Sequence, residues 1–109
     1  MQTFVRSGEA EWIELGGGMR RRILAYNEGI MTVEVGFDKG GIGKDHSHPH
    51  AQITYVLSGE FSYHIEGEAR IMRAGDSIAV ESGKVHGLTC LADGTVLDVF
   101  APMREDFVK

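Results

Sequence analysis

Apolar and polar residues alternate along most of this chain in short runs of strand length. The cleanest run is Phe61-Ser62-Tyr63-His64-Ile65, where every second side chain is apolar and falls on one face of an extended strand. Other runs with β character are Trp12–Leu15, Arg22–Tyr26, Met31–Phe37, Gln52–Leu57, Ala69–Met72, Ser77–Val80, Val85–Leu91 and Val96–Phe100. Fifteen glycines and two prolines punctuate them. Turn signals recur at intervals of about eight to twelve residues, the spacing of an all-β sandwich or barrel. Ser58-Gly59-Glu60 and Glu66-Gly67-Glu68 bracket the alternating run and predict a tight hairpin on each side of it. No segment carries the apolar stripe of a long amphipathic helix.

Length and charge narrow the field. A chain of 109 residues predicts a single domain over residues 1–109, enough for one hydrophobic core. Sixteen acidic against eleven basic residues give a formal charge of -5, which argues against general affinity for nucleic acid or an anionic membrane. A small anionic ligand stays compatible with that charge, because a local cation overrides the mean field. Cys90 is the one cysteine, so no disulfide can form within the chain. Met1–Ala10 lacks the basic start and apolar run of a secretion signal, and no apolar stretch reaches bilayer-spanning length. The expectation is a cytoplasmic protein whose partners include neither nucleic acid nor membrane.

The candidate chemistry lies in His46-Ser47-His48, Gln52 and His86. Two histidines at i and i+2 on an extended strand point to the same face. Imidazole suits Zn, Cu, Fe or Ni, and a glutamine adds an amide oxygen. Glycines frame these residues at fixed distances. Gly40, five residues, His46-x-His48, three residues, Gln52, six residues and Gly59 make one block. Gly75, five residues, Glu81-Ser82-Gly83, two residues and His86 make a second.

These two blocks resemble, in order and spacing, the two motifs of the cupin family. The resemblance implies a small RmlC-like jelly-roll barrel (a double-stranded β-helix) with one divalent metal ion in its mouth. It further implies that His46, His48, Gln52 and His86 are the ligands. The same ligand set accepts Zn, Ni, Fe, Mn or Co, so the metal is not readable. Three departures stand out: Gln52 where many cupins have Glu, Glu81 where Pro is usual, and Cys90 in place of a frequent Asn. The Gln carries consequences. A neutral His/His/Gln/His set leaves both charges of the ion uncompensated, which makes it a stronger Lewis acid and disfavours higher oxidation states. Proton-transfer chemistry is expected over oxygen activation.

Across the whole length the chain looks like the KdgF-type cupins. The resemblance rests on Arg21-Arg22-Ile23-Leu24-Ala25, on His46 to Gln52, and on the tail from Asp98-Val99-Phe100 through Arg104 to Phe107. Proteins of that type open the ring of 4,5-unsaturated uronic acid monomers in pectin and alginate breakdown, yielding the linear 4-deoxy-5-keto uronate. The resemblance places Asp98, Phe100 and Arg104 as the non-ligand active-site residues of a metal-dependent isomerase. Asp98 would carry the proton, Arg104 would clamp the substrate carboxylate as a bidentate fork, and Phe100 would wall the site. Strand alternation puts Asp98 and Phe100 on one face. The plain alternatives are an Asp98–Arg104 ion pair closing the last strand and a core position for Phe100. Small cupins also commonly pair through sheet edges, so a homodimer is expected by resemblance.

The remaining features read as structural. His50 shares the parity of His46 and His48, but pairing it with His48 as ligands puts Thr54 in the third place, so a pocket-rim position is expected. His64 is expected to be exposed, and Cys90 to be a small packing residue. Arg20-Arg21-Arg22 reads as a solvated strand face that can add to anion attraction. Trp12 and Leu15 read as core or dimer contacts, and Lys44 and Asp45 as possible supports of the first ligand. Two further functions fit the same frame: a non-catalytic cupin that binds a sugar or carboxylate, and an iron dioxygenase.

Overall fold

The structure, a computed structural model, describes residues 3–109. Its strands are β1 (Ile13–Gly16), β2 (Met19–Tyr26), β3 (Met31–Phe37), β4 (Ile42–His46), β5 (Ala51–Ile65), β6 (Glu68–Arg73), β7 (Ser77–Val80) and β8 (His86–Ala101). Single 3-10 turns at Ser7–Glu9 and Glu105–Phe107 are the helical elements among the described residues. No helix there is long and apolar enough to cross a membrane.

Two long bent strands organise the fold. The first half of β5 pairs antiparallel with the second half of β8, from Ala51 opposite Ala101 to Ser58 opposite Thr95. The remaining halves pair again, from Glu60 opposite Ala92 to Ile65 opposite His86. The first stretch is extended by β3, β2 and β1 beyond β8 and by β7 beyond β5. The second is extended by β4 beyond β8 and by β6 beyond β5. Folding one half over the other gives an all-β jelly roll: the residue pattern predicts the all-β sandwich or barrel, and the family resemblance implies the jelly roll.

The bend is a glycine device, and it corrects two of the sequence expectations. Ser58-Gly59-Glu60 is no hairpin but an irregularity inside β5. Gly59 has φ +85°, and a Cβ there would lie 2.6 Å from the Ala92 carbonyl oxygen and 2.7 Å from that of Asp93. Only glycine permits that backbone approach. In the same way the runs Val85–Leu91 and Val96–Phe100 are not separate strands: from His86 on they are two parts of β8, whose pairing with β5 breaks between Ala92 and Thr95. A bend and a turn call for the same residue, and only the position of the partner strand distinguishes them. The Glu66-Gly67 turn between β5 and β6 does form, with φ of 49° and 85° as a two-residue hairpin requires. Strand β4 carries Gly43 and a largely exposed, charged sequence without β character. Its pairing with β8 makes it a strand.

The core fills one end of the space between the sheet halves. Met31, Val33, Val35 and Phe37 of β3 are buried together with Val56, Phe61, Leu88, Cys90, Val96 and Phe100. The rings of Phe37 and Phe61 meet edge to face at 5.5 Å, worth about 1 kcal/mol beyond their burial. Cys90 is a buried packing residue, as its type suggests. Along β5 burial alternates, with Gln52, Thr54 and Val56 inside and Ala51, Ile53, Tyr55 and Leu57 outside. The inward row therefore changes from apolar to polar toward the start of the strand, and that is where the site lies.

Candidate metal centre

His46 ends β4, His86 begins β8, and the two are register partners across that antiparallel pair. His48 lies in the loop leading into β5, and Gln52 is the second residue of that strand. Fold and register thus bring together four residues spread over the chain. The ring centroids of His46 and His86 are 4.4 Å apart, and those of His48 and His86 4.9 Å apart. One ligand atom from each of His46, His48 and His86 falls within 4.8 Å of the others. The three histidines are placed to bind a metal ion.

The hydrogen bonds fix how each ring presents itself. His46 Nδ1 donates to the Lys44 carbonyl at 2.8 Å, His48 Nδ1 to that of His50 at 3.0 Å, and His86 Nδ1 to that of Lys84 at 2.9 Å. A carbonyl only accepts, so the proton sits on Nδ1 and each Nε2 keeps its lone pair. Burial lowers the pKa of His48 and His86 and favours their neutral forms.

Gln52 is oriented just as firmly. Its Nε2 donates to Thr54 Oγ1 at 3.0 Å and to Asp98 Oδ1 at 3.2 Å. Its Oε1 then faces His48 Nε2 at 2.9 Å and His86 Nε2 at 3.2 Å. An acceptor faces two acceptors, in a place where Gln52 and His86 are almost fully buried. Such converging lone pairs repel unless a cation lies among them, so the donor set fits a divalent ion with three imidazoles and one amide oxygen.

Asp98 stands behind Gln52, on the inward face it shares with Phe100. Its Oδ1 accepts from Thr54 at 2.7 Å as well as from Gln52, and the Tyr63 phenol lies 3.3 Å from Thr54 Oγ1. With both bonds on Oδ1, Oδ2 is left for another partner. Desolvation pushes the Asp98 carboxyl up to about 6, against the lowering effect of the Thr54 and Gln52 hydrogen bonds and of nearby His46 and Arg104. Burial likewise pushes the Tyr63 phenol up. A cavity of about 60 Å³ runs from this group into the barrel, touching His46, Gln52, Tyr63, His86 and Asp98.

The tail supplies the other wall. After a cis peptide at Ala101–Pro102, Arg104 packs its guanidinium 5.1 Å from the Phe100 ring centroid and 4.3 Å from that of Phe107. Its Nη2 and Nε hold Asp106 at 2.9 and 3.1 Å. Arg104 therefore pairs with Asp106, and Asp98 with Thr54 and Gln52; the two do not form the ion pair that was the plain alternative. Phe100 is both core and wall, being buried and standing edge to face with His48 at 5.7 Å.

Other residues fall where their sequence signals were weak. His50 lies at the rim, with Nε2 donating to the Met103 carbonyl at 3.2 Å. His64 is only partly exposed and pairs with Asp45 beside Gly87, so Asp45 braces His64 and not His46. Lys44 supports His46 through its backbone. Trp12 is 39% exposed, outside the core, with Arg22 4.6 Å from its ring. Thr54 and Tyr63 were missed. Their signal was parity: polar groups on the inward row of β5.

The cupin domain family model matches residues 33–100. The pectin degradation protein KdgF of Dickeya dadantii (strain 3937) is 42% identical over 110 residues, covering 99% of this chain and 100% of that protein. Among solved structures, an RmlC-like cupin from Shewanella frigidimarina superposes with a TM-score of 0.95 at 38% identity, covering 98% of this chain and 96% of its own. KdgF from Halomonas sp. superposes with a TM-score of 0.92 at 36% identity, covering 96% and 99%.

Proposed function

The chain belongs to the cupin family, and from that premise we propose that it opens the ring of 4,5-unsaturated uronic acid monomers released in pectin or alginate breakdown. The product is the linear 4-deoxy-5-keto uronate. One observation carries the reading: a desolvated carboxylate, Asp98, is hydrogen-bonded to the same glutamine whose oxygen faces the three histidines. Identity over the full length to a pectin degradation protein supports the substrate class.

His46, His48, Gln52 and His86 would hold one divalent ion. When bound, that ion supplies Lewis acidity toward a substrate oxygen that gains negative charge. The chain's own residues do the rest. The reaction is an isomerisation: O1 loses its proton, C1–O5 breaks as C1 becomes an aldehyde, and C4 gains a proton as the C5 enol becomes a ketone. Asp98 Oδ2 takes the O1 proton, and the resulting acid returns a proton to C4. A carboxyl pushed up to about 6 is suited to both halves near neutral pH. The bonds from Thr54 and Gln52 keep its other oxygen fixed.

Arg104 grips the uronate carboxylate. Its side chain is 13% exposed and bracketed by Phe100 and Phe107, so little conformational freedom remains to be lost on binding. The 60 Å³ cavity is too small for a monosaccharide, so the sugar sits at the mouth with its reacting edge turned inward. Phe100 excludes water from that edge.

The experiment follows the ultraviolet absorbance of the conjugated C4=C5 carboxylate when unsaturated galacturonate meets metal-loaded protein, then chelator-stripped protein. Decay well above the spontaneous rate, lost with chelator and restored by metal, is the expected result. Decay at the spontaneous rate with metal bound refutes the reading.

A further inference from the structure

The three consecutive arginines of β2 do not act alike. Arg20 and Arg22 face outward and are paired, Arg20 with Asp38 at 3.3 Å and Arg22 with Glu34 at 2.7 Å. Arg21 has the opposite parity and shares its face with Met19 and Ile23, which pack against the core. Its guanidinium carbon lies 3.8 Å from the centroid of Phe107, the ring that also carries Arg104 at 4.3 Å. Arg21 makes no side-chain hydrogen bond or ion pair among the described residues, and its Nε is enclosed without a partner. Desolvation lowers its pKa, Arg104 adds to that effect, and Asp106 opposes it. Two cations thus share one aromatic ring and one carboxylate.

A guanidinium whose Nε is enclosed without a partner, with a second guanidinium on the same ring, is unfavourably placed. The cluster of Arg21, Arg104 and Asp106 is one negative charge short of balance. A single carboxylate ligand supplies that charge, but the Arg104 fork is already taken by Asp106. We propose that Arg21 is the receiving cation of a carboxylate exchange, in which a uronate carboxylate takes the Arg104 fork and the displaced Asp106 turns to Arg21. The exchange rests on the reading of Arg104 as the substrate clamp. Asp106 is suited to move, being 59% exposed on a one-turn element, whereas Arg104 is 13% exposed and held between rings. Two cations and two anions then face each other. A neutral sugar cannot drive the exchange, so the cluster selects acids over their uncharged analogues.

The test is calorimetric titration of metal-loaded protein with galacturonate, a saturated acid that does not react, and with its methyl ester. Wild type is expected to favour the acid. Arg21→Met should weaken acid binding about tenfold, as expected for losing one charge contact, and leave ester binding unchanged. Arg21→Lys should stay within about threefold of wild type, since it keeps the charge. Asp106→Asn should tighten acid binding, and added to Arg21→Met it should restore most of the loss, because nothing is left to displace. Acid binding unaffected by Arg21→Met, equal loss for acid and ester, or weaker acid binding in Asp106→Asn would each overturn the exchange. A wild type that does not distinguish acid from ester would remove the Arg104 clamp itself, and the exchange with it.

Discussion

Asp98→Asn should stabilise the metal-free protein while removing its activity. Asn is close to isosteric: its Oδ1 can still accept from Thr54 and Gln52, and its amide takes the place of Oδ2. Only the charge is lost. Desolvation raises the Asp98 carboxyl from 3.8 to about 6, so its ionised form opposes folding by at most about 3 kcal/mol at neutral pH. Asp98 is not fully enclosed, and solvent screening brings the expected gain to roughly 1–2 kcal/mol. The sign follows from which state ionises first. Below about pH 4 both folded and unfolded chains hold the proton, and Asp98 opposes nothing. Between about 4 and 6 the unfolded chain releases it first, so wild-type stability falls relative to the variant as pH rises. Above that window the gap is constant. Urea denaturation of chelator-stripped wild type and variant, at about pH 4.5 and about pH 7.5, measures the gap directly. Turnover of unsaturated galacturonate by the metal-loaded variant should fall by at least about 100-fold. A variant less stable than wild type at the higher pH, or a gap equal at both, would refute the desolvation argument.

Two more outcomes follow from the geometry. Gly59→Ala should destabilise by about 3 kcal/mol or more, since φ +85° and carbonyl oxygens at 2.6 and 2.7 Å both resist a Cβ; Gly67→Ala, at φ +85° with open space around it, should cost only about 1 kcal/mol. Gln52→Glu should tighten divalent metal binding, read by chelator competition, yet lower the neutral-pH stability of the metal-free protein by roughly 2 kcal/mol or more, because a second carboxylate would replace the donor to Asp98.

The fold was legible where local pattern and tertiary role coincide. Alternation in Phe61–Ile65 and the Glu66-Gly67 turn survive intact because the chemistry of each is local. Gly59 and Gly94 were misread as punctuation because they serve a contact between β5 and β8 that no local window contains. Strand β4 was invisible for the related reason that its partner, not its composition, makes it extended. At the site, His46, His48, Gln52 and His86 were legible from ligand type and spacing. That Asp98 and Arg104 lie near this group could be expected only through family resemblance, because nothing local says which of sixteen acidic residues faces inward. Thr54, Tyr63 and Arg21 share one lesson. A polar or charged side chain at an inward parity position deserves more weight than its type alone suggests, since it must find a partner there or leave a charge unbalanced.

Gln52 ties these observations together. A glutamate at this position would offer oxygen to the histidines, but both its oxygens only accept, and one would stand where Nε2 now donates to Asp98 at 3.2 Å. Two carboxylates at that separation do not both ionise, so one would hold a proton and Asp98 would be compromised in its proposed role. The amide avoids the conflict by being two-sided, with oxygen toward His48 and His86 and nitrogen toward Thr54 and Asp98. It places the carboxylate next to the proposed metal centre without adding negative charge to either. Oxygen-activating chemistry gains from an anionic ligand set that supports a higher oxidation state, whereas proton transfer gains from a neutral set with a free base beside it. The departure from the usual cupin glutamate and the burial of Asp98 are therefore a single feature, and together they support the proposed isomerase reading over the oxygenase one.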